Sequence, residues 1–559
     1  MPRTNFFSSQ LLLLITALSM SYCSTKTSSP STKNTALYNE LQTFDFIQNG
    51  MYATGISCAD LDRNNFMDIV NSNGNDMAPN PLTYYPNWGL STGIPYPYIP
   101  NYTQQIGFNT RLQLGDLNND GWTDIVMVTV FDKEALHTAA FKQQHDVHYF
   151  DIHKPGSLKI FMNNKGSIPN SATYELTMTS FPFDIDLGDV DADGDLDLLV
   201  AYLWQKGTNN TPVGARAEIF ENRAGKITQN TLWKSKNVYQ ALSTSFADIN
   251  QDGLLDVVLG VKAFKRGDNG IHAFLGKTKN DHFTIDTLPE WNYAIQSSLS
   301  AFSLNIGLLR EGGSPPEKED VFCVVGAQYM ANQSVTKQLR TPGVKHLAAT
   351  QNESEDFYAI RFSDSTCLWK TEAKTLQVRE PSFAAIGDVN NDGLADLVSG
   401  FFKTADGSLN EGGPFFVFNG SLTPEQQYTF NESFRSKTLG VHQEISLSYA
   451  GNCDPTEQTI VQEKVFVTKV QQKGTTISIP CNTVMDIVGV TLEGNEVSRA
   501  QFSWSTNSNL LTLSKSAGWT TGAALKIRYL TTLRKDIFLS YWNANKGNSI
   551  YFSSFQKQP

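Results

Sequence analysis

Alternating carboxylates in a tight turn are the residues of this sequence with the clearest chemistry. In residues 189–197, aspartates stand at positions 1, 3 and 5, a glycine follows at position 6, and a further aspartate stands at position 9. Alternation places the first three carboxylates on the inside of the turn, where their like charges repel unless a cation lies between them. Oxygen ligands in this pattern, completed by a backbone carbonyl, are typical of calcium loops. The sequence therefore predicts a calcium site here.

The same loop occurs five times, which indicates a repeat rather than a set of ordinary Asp/Asn/Gly turns. We predict about five Ca2+ sites, and we expect Asp195 to contribute its backbone carbonyl. The first copy has Asn65 in place of the glycine, so we expect weaker binding there. The predicted ligands of the five loops are Asp60, Asp62, Asn64 and Asp68; Asp116, Asn118, Asp120 and Asp124; Asp189, Asp191, Asp193, Asp195 and Asp197; Asp248, Asn250, Asp252 and Asp256; and Asp388, Asn390, Asp392 and Asp396.

Strands rather than helices flank these loops, and the position-12 glutamate of an EF-hand is missing. An apolar strand precedes and follows each loop. A third strand then carries an aromatic residue followed by Asn or Gly, as in Phe161-Met162-Asn163, and a more polar fourth strand completes the unit. Four strands repeating in this way indicate the blades of a β-propeller.

The interval between the fourth loop and the last leaves room for two units. Ile306-Gly307 and residues 320–326 match the strands around the other loops without the carboxylates, so we predict a blade there that binds no calcium. This gives six blades. A seventh forms if three strands near the carboxyl end are joined by residues 41–46; those three strands are predicted at 444–449, 536–540 and 549–552.

The predicted fold is all-β: a six- or seven-bladed β-propeller with calcium-binding loops, plus a small β-sandwich domain near the C-terminus. The sandwich is either inserted between two strands of the seventh blade or appended to a six-bladed ring. The predicted domains are a signal peptide at 1–23, a flexible linker at 24–40, the propeller at 41–452, the sandwich at 453–533 and return strands of the last blade at 534–559.

The amino-terminal segment has the features of a secretory signal, namely Arg3 and an apolar core at 11–18. This core is too short to span a bilayer and no other segment is long and apolar enough, so we predict no transmembrane helix. Cys23, which a Ser/Thr/Lys-rich tract follows, also looks like the start of a bacterial lipoprotein. We therefore expect a secreted or cell-surface protein, with an outer-membrane lipid anchor at Cys23 as the alternative to simple release.

The net charge bears on whether nucleic acid is a partner, and the cysteine content bears on disulfide formation. The net charge of −11 argues against nucleic acid as a partner. An exported chain can oxidise its six cysteines. We predict the pairs Cys323–Cys367 and Cys453–Cys481, with Cys58 left single.

The loops, with the Phe…Gly before them and the apolar strand after them, resemble FG-GAP/VCBS repeats, the units of the integrin alpha-subunit propeller. The resemblance covers residues 41–420. It implies a β-propeller with calcium in the loops between first and second strands. Members of this group include adhesion proteins, and some such propellers are attached to polysaccharide-degrading enzymes, so the fold does not determine the activity.

We expect calcium to be structural and binding to reside on the opposite face, because long loops on a rigid scaffold commonly carry function. A protein or glycan is the expected ligand, and a cell-surface scaffold that contacts its neighbours through 453–533 is the alternative. The long loops of that face are 129–156, 203–216, 262–270, 328–356 and 401–414.

Catalysis is not expected, because the sequence has no hydrolase, metalloprotease, phosphate-loop or redox motif. No catalytic residue is predicted, and a carboxylate pair that acts on polysaccharide is the alternative. Four histidines gather in one loop, which is either a polar surface loop or a transition-metal site. They are His137, His145, His148 and His153.

Overall fold

The described chain forms seven antiparallel sheets that each have four strands in their main order, and one of them carries a short fifth strand. In this computed structural model the described residues lie between 43 and 553, and the longest segments left out of that range are 132–153, 329–354 and 449–460. The predicted signal peptide, the linker with Cys23 and the four histidines of the 137–153 loop lie outside the described residues. In the part of the chain that is described, no helix combines the length and apolar character needed to cross a bilayer.

Six of the sheets are built from strands that follow one another in the chain. The amino-terminal strand β1 (Thr43–Gln48) belongs to the seventh sheet. The first sheet contains β2 (Ala53–Ala59), β3 (Asp68–Asn73), β4 (Asn80–Tyr85) and β5 (Asn101–Gly107), and the second contains β6 (Asn109–Gly115), β7 (Asp124–Phe131), β8 (Pro155–Phe161) and β9 (Tyr174–Thr177). The third contains β10 (Phe181–Gly188), β11 (Asp197–Lys206) with the short β12 (Pro212–Val213) paired to its end, β13 (Glu218–Asn222) and β14 (Ile227–Lys234).

The next three sheets repeat the pattern. The fourth contains β15 (Ala241–Ala247), β16 (Asp256–Val261) and β17 (Gly270–Phe274), then a separate hairpin of β18 (Gly276–Lys279) and β19 (His282–Ile285), and finally β20 (Trp291–Ala294). The fifth contains β21 (Ser300–Leu308), β22 (Val321–Gln328), β23 (Phe357–Arg361) and β24 (Cys367–Lys370), and the sixth contains β25 (Val378–Gly387), β26 (Asp396–Thr404), β27 (Phe415–Leu422) and β28 (Tyr428–Arg435).

The seventh sheet is assembled from both ends of the chain. Its order is β1-β38-β37-β29, with β29 at Val441–Ser448, β37 at Asp536–Asn543 and β38 at Gly547–Ser553. Thr43 stands opposite Ser553, and Ser448 stands opposite Asp536. The amino-terminal strand thus completes the sheet that the carboxyl-terminal strands begin.

The chain between β29 and β37 forms two small sheets of its own. One contains β30 (Val461–Lys469), β36 (Ala524–Thr532), β32 (Asp486–Leu492) and β33 (Asn495–Val497), and the other contains β31 (Thr476–Ser478), β35 (Leu510–Leu513) and β34 (Phe502–Trp504). Short 3-10 helices lie at Arg499–Gln501 and Lys515–Ala517. The two sheets enclose a core that includes Phe466, Trp504 and Leu525. We call residues 461–532, from β30 to β36, the inserted domain.

The first strands of the seven sheets lie side by side in a ring. β2 packs against β6, β6 against β10, β10 against β15, β15 against β21, β21 against β25, β25 against β29, and β29 against β2. Apolar layers fill the space between neighbouring sheets; Val126 and Leu158 of the second sheet, for example, pack with Leu187 and Val200 of the third. The second strand β7 is buried along its whole length, which explains its uninterrupted apolar run. The fold is all-β and propeller-like.

The ring of first strands encloses a polar cavity of about 250 Å³. Carboxylates on one first strand reach the backbone of the next. Asp186 Oδ2 accepts a hydrogen bond from Phe246 N at 2.8 Å, and Glu444 Oε2 accepts one from Ile56 N at 2.8 Å. These acceptors satisfy amides on the inner edge of the ring, where a first strand has no further strand of its own sheet. Burial raises the pKa of Asp186 and of Glu444 to about 7.

The predicted disulfide Cys323–Cys367 is wrong. Both residues stand opposite Ile360 on β23, so a whole strand separates them, and both are free thiols. Two strand spacings amount to roughly 9–10 Å, which exceeds the reach of a disulfide. Cys58 is a buried thiol that forms no disulfide, as predicted. Cys481 is also free and buried, while its predicted partner Cys453 lies outside the described residues.

Candidate metal sites

The five acidic loops share one backbone conformation. The residue at position 4 has a φ of 54° to 59° in every copy, and the residue at position 6 has a φ of 70° to 106°. Glycine adopts this left-handed region readily, and asparagine is enriched there among other residues. Asn65, with a φ of 70°, therefore preserves the turn in the first loop.

The aspartate at position 1 is the acceptor around which each loop folds. Asp189 Oδ1 accepts a hydrogen bond from Asp193 N at 3.1 Å, and its Oδ2 accepts one from Gly194 N at 2.9 Å. The corresponding aspartates of the other four loops accept the same two hydrogen bonds, from positions 5 and 6: Asp60, Asp116, Asp248 and Asp388.

The side chains at positions 3 and 5 each accept a hydrogen bond from the backbone amide two residues further along the loop. Asp191 Oδ1 accepts from Asp193 N at 3.2 Å, and Asp193 Oδ1 accepts from Asp195 N at 2.9 Å. The same hydrogen bonds hold the residues at position 3 in the other loops, Asp62, Asn118, Asn250 and Asn390. They also hold the residues at position 5, Asn64, Asp120, Asp252 and Asp392.

The aspartate at position 9 ties each loop to the rest of its sheet. Asp197 Oδ2 accepts from Val190 N at 3.0 Å inside the loop, and its Oδ1 accepts from Asn222 N at 2.9 Å at the end of the third strand. The equivalent pair of hydrogen bonds is present at Asp68, Asp124, Asp256 and Asp396. The Asn or Gly that recurs at the end of the third strand therefore supplies the amide that this carboxylate needs.

Positions 1, 3 and 9 come together in space. Carboxylate oxygens of Asp60, Asp62 and Asp68 lie within 4.8 Å of one another, and so do those of the equivalent third-loop residues, Asp189, Asp191 and Asp197. In the other three loops an asparagine stands at position 3, so an amide oxygen replaces the middle carboxylate. Five loops thus present oxygen ligands alone, the set that a hard cation such as calcium prefers.

Burial makes the ionised form of these carboxylates costly. Asp189 is 2% exposed and Asp197 is 1% exposed. Desolvation, with repulsion from neighbouring carboxylates, raises the pKa of Asp189 to about 8 and that of Asp396 to about 8. The same cause raises the pKa of Asp68, Asp124 and Asp248 to about 7. A divalent cation would relieve this cost, and the residues present fit one.

Asp195 differs from the other aspartates of its loop. Its Oδ1 accepts from Asn119 Nδ2 at 2.7 Å, and its Oδ2 accepts from Ala224 N at 2.6 Å. Both oxygens thus bond outside the loop. The role of the position-7 backbone carbonyl in metal binding stays a prediction.

The fifth and seventh sheets have no acidic loop, and a buried ion pair lies beside their first strands instead. Lys535 Nζ donates to Asp388 O at 2.7 Å and lies 3.8 Å from Glu311 Oε2, and Glu311 Oε1 accepts from Asp388 N at 3.0 Å. The side chains of Lys535 and Glu311 are 3% and 7% exposed. A buried ion pair between the fifth-sheet loop and the residue before β37 therefore bonds to the backbone of Asp388, in the acidic loop of the sixth sheet between them.

Several residues that hold the loops were not identified from the sequence as site residues. Asn222 Nδ2 donates to Leu117 O of the second loop at 2.8 Å, and Asn163 Nδ2 donates to Leu61 O of the first loop at 2.8 Å. Each asparagine thus fastens its sheet to the preceding loop. The recurring Asn at the third-strand end was a usable signal, whereas nothing in the sequence marks the Lys535–Glu311 pair.

No protein-family model matches the chain, and comparison with curated proteins gives no match. The solved structures that it resembles include two described as BBS1N in complex with ARL6DN, one soaked with lead and one with mercury. The first is 10% identical, over 75% of this chain and 92% of that chain, with a TM-score of 0.40. The second is 8% identical, over 89% of this chain and 99% of that chain, also with a TM-score of 0.40. Similarity at this level supports no statement about function.

Proposed function

We propose that this chain is a seven-bladed, calcium-stabilised β-propeller, exported to the cell surface or beyond, that acts by binding a protein or glycan. The observation that carries the proposal is the shared geometry of five loops, each of which gathers side-chain carboxylate and amide oxygens at positions 1, 3, 5 and 9. Such groups repel one another at neutral pH unless a divalent cation compensates them. The ring of seven sheets, completed by β1, supports the blade count.

The proposed calcium ligands are the side chains at positions 1, 3, 5 and 9 of each loop and the carbonyl at position 7. Bound calcium would offset part of the negative charge and hold the connection between first and second strands. All five loops follow first strands that lie side by side, so they gather at one end of the ring, which we call the loop end. Calcium there supports the architecture and is not expected to take part in a reaction.

We assign ligand binding to the opposite end of the ring. The inserted domain lies against the loop end, where Thr476 N donates to Gly253 O at 2.9 Å and Gly312 N donates to Pro480 O at 2.9 Å. The connections between second and third strands emerge at the other end. Much of these long connections lies outside the described residues, including 132–153 and 329–354.

Calcium removal tests the first half of the proposal. Elemental analysis of the purified protein is expected to find about five calcium ions per chain. Each site filled at 100 times its Kd contributes about 2.7 kcal/mol to stability, so excess EGTA should lower Tm by many degrees. Unchanged melting in EGTA, together with absence of calcium, would contradict the proposal.

Loop replacement tests the second half. Ligands are first identified on a glycan array and by pull-down of surface proteins, and residues 132–153 are then replaced by a short Gly/Ser turn. Binding should be lost while the calcium-dependent melting is kept. The matched control replaces residues 423–427, the turn between β27 and β28 at the loop end. Retained binding in the first variant would refute the assignment, and a reducing-sugar assay with polysaccharides tests the enzyme alternative.

A further inference from the structure

The inserted domain bonds to the loop end at several sheets. Thr506 N donates to Leu114 O of the second sheet at 3.1 Å, and Thr476 N donates to Gly253 O in the fourth loop. Asn482 exchanges two hydrogen bonds with Leu308 of the fifth sheet, at 2.6 and 2.8 Å. The domain is therefore seated on the loop end of the ring.

At the third loop the inserted domain bonds to the side chain of a predicted metal ligand, and not only to backbone groups of the ring. Ser503 Oγ donates to Asp189 Oδ2 at 3.0 Å, and both residues are 2% exposed. Among the described hydrogen bonds, no other position-1 carboxylate accepts one from the inserted domain; at Asp388 the acceptor of the Lys535 hydrogen bond is the backbone carbonyl. Arg499 approaches Asp116 of the second loop, with 3.6 Å between Nη2 and Oδ2, but it makes no hydrogen bond there.

The same domain also holds the backbone of the third loop. Lys515 N donates to Ala192 O at 2.9 Å, and Ser514 Oγ donates to Asp193 O at 3.1 Å. Ala192 stands in the left-handed region with a φ of 58°. A Cβ added to Gly194 would lie 3.0 Å from Ala500 O, so the domain is packed directly on the turn.

We propose that the inserted domain forms the outer shell of the third calcium site, so that calcium binding at residues 189–197 and docking of the domain are coupled. This inference rests on the proposed calcium binding. The Ser503 hydroxyl fixes the orientation of the Asp189 carboxylate and stabilises its ionised form, which a cation requires. Docking therefore raises the calcium affinity of the third loop.

The coupling also acts in the other direction. Without a cation, four carboxylates of the third loop repel one another beneath the domain, and the loop loses the shape that presents its carbonyls to Lys515 and Ser514. Coupling free energies of this kind are reciprocal, so calcium must strengthen docking by the factor by which docking strengthens calcium binding. The first loop is the internal comparison, because all described hydrogen bonds to its carboxylates come from the ring itself.

A calcium titration of the full chain by calorimetry tests the first direction. Ser503→Ala should weaken one calcium site by about 5- to 50-fold and leave the others unchanged, as expected for loss of one hydrogen bond to a charged group. The matched control is Thr512→Val. Thr512 stands opposite Ser503 in the same sheet, and its hydroxyl bonds to Thr476 within the domain. The control should bind calcium as the wild type does.

Hydrogen exchange tests the reverse direction. Asp189→Asn should raise the exchange rate of the Lys515 amide and of β34 by about tenfold or more, whereas Asp62→Asn in the first loop should leave them unchanged. Identical titrations for Ser503→Ala and wild type, or identical exchange in the two aspartate variants, would overturn the coupling while calcium binding stands. A wild-type chain that binds no calcium would instead overturn the proposed function.

Discussion

At the scale of single residues, the hydrogen bonds of Asp195 and Asp197 show that two neighbouring aspartates of one loop have different roles. Asp197 bonds to Val190 inside its loop and to Asn222 at the end of the third strand, and it belongs to the third carboxylate cluster. Asp195, two positions earlier, directs its carboxylate to Asn119 and Ala224 instead. Asp197 therefore belongs to the group of carboxylates that we propose holds a cation, whereas Asp195 connects neighbouring loops.

Replacing these two aspartates separates the roles. Asp197→Asn should remove one calcium ion per chain and lower the free energy of unfolding by about 2–4 kcal/mol, because it also disturbs two buried hydrogen bonds. Asp195→Asn should retain every calcium ion. Elemental analysis and chemical denaturation in calcium measure both effects. Equal calcium content in the two variants would contradict the assigned ligand role of Asp197.

The partly buried Glu444, which lines the polar cavity, predicts a pH dependence of stability. Desolvation raises its pKa from 4.5 to about 7, so its contribution is fully present below pH 4.5 and is lost as the pH rises through 7. Between pH 5 and pH 8 the wild type should lose about 2–3 kcal/mol relative to Glu444→Gln, whose amide oxygen can still accept from Ile56 N. Denaturant titrations in calcium at several pH values measure this difference. The exposed Glu432→Gln serves as control, and parallel curves for the two variants would refute the prediction.

At the scale of elements, two devices hold the connections at the loop end. Five connections use acidic loops of nine residues, each tied to its second and third strands by the position-9 aspartate. The fifth and seventh sheets use the buried Lys535–Glu311 pair, which reaches both the carbonyl and the amide of Asp388. This ion pair therefore connects the fifth and seventh sheets, which have no acidic loop of their own, to the acidic loop of the sixth sheet.

Breaking the ion pair should destabilise the protein strongly, because one charge is then left buried without its partner. Lys535→Met is expected to cost about 3–5 kcal/mol, and adding Glu311→Gln should recover part of the loss. Lys318→Met, on an exposed side chain of the same fifth-sheet loop, is the control. Thermal melts with and without EGTA measure the effect. A double variant no more stable than Lys535→Met would contradict this account.

At the scale of the whole molecule, the ring depends on a strand from the far end of the chain. β1 pairs with β38 along its full length, from Thr43 opposite Ser553 to Gln48 opposite Asn548. Without β1, the edge of β38 would present unpaired backbone groups, and such edges promote association between chains.

Truncation tests this closure. A chain that begins at residue 50 lacks β1 and should melt at a lower temperature and elute as larger species in size-exclusion chromatography. A chain that begins at residue 41 keeps β1 and should behave as the full chain does. Identical melting and elution of the two truncated chains would show that the strand does not support the ring.

What the sequence determined by itself is local. The nine-residue loops and the strands around them are readable because their turn residues, carboxylates and apolar runs lie close together in the chain. From that repeat the all-β, propeller-like fold was predictable, and it is confirmed in that form. The calcium itself, the export and the ligand stay predictions.

What only the tertiary structure decided joins residues that are distant in the chain. Ser503 donates a hydrogen bond to Asp189, Lys535 pairs with Glu311, and the inserted domain packs on the loop end. No repeated pattern in the sequence indicates any of these contacts. The predicted Cys323–Cys367 pair failed for the same reason, since the count of cysteines carries no information about the strand between them. Spacing specifies local geometry, whereas long-range contacts depend on how whole sheets and domains pack.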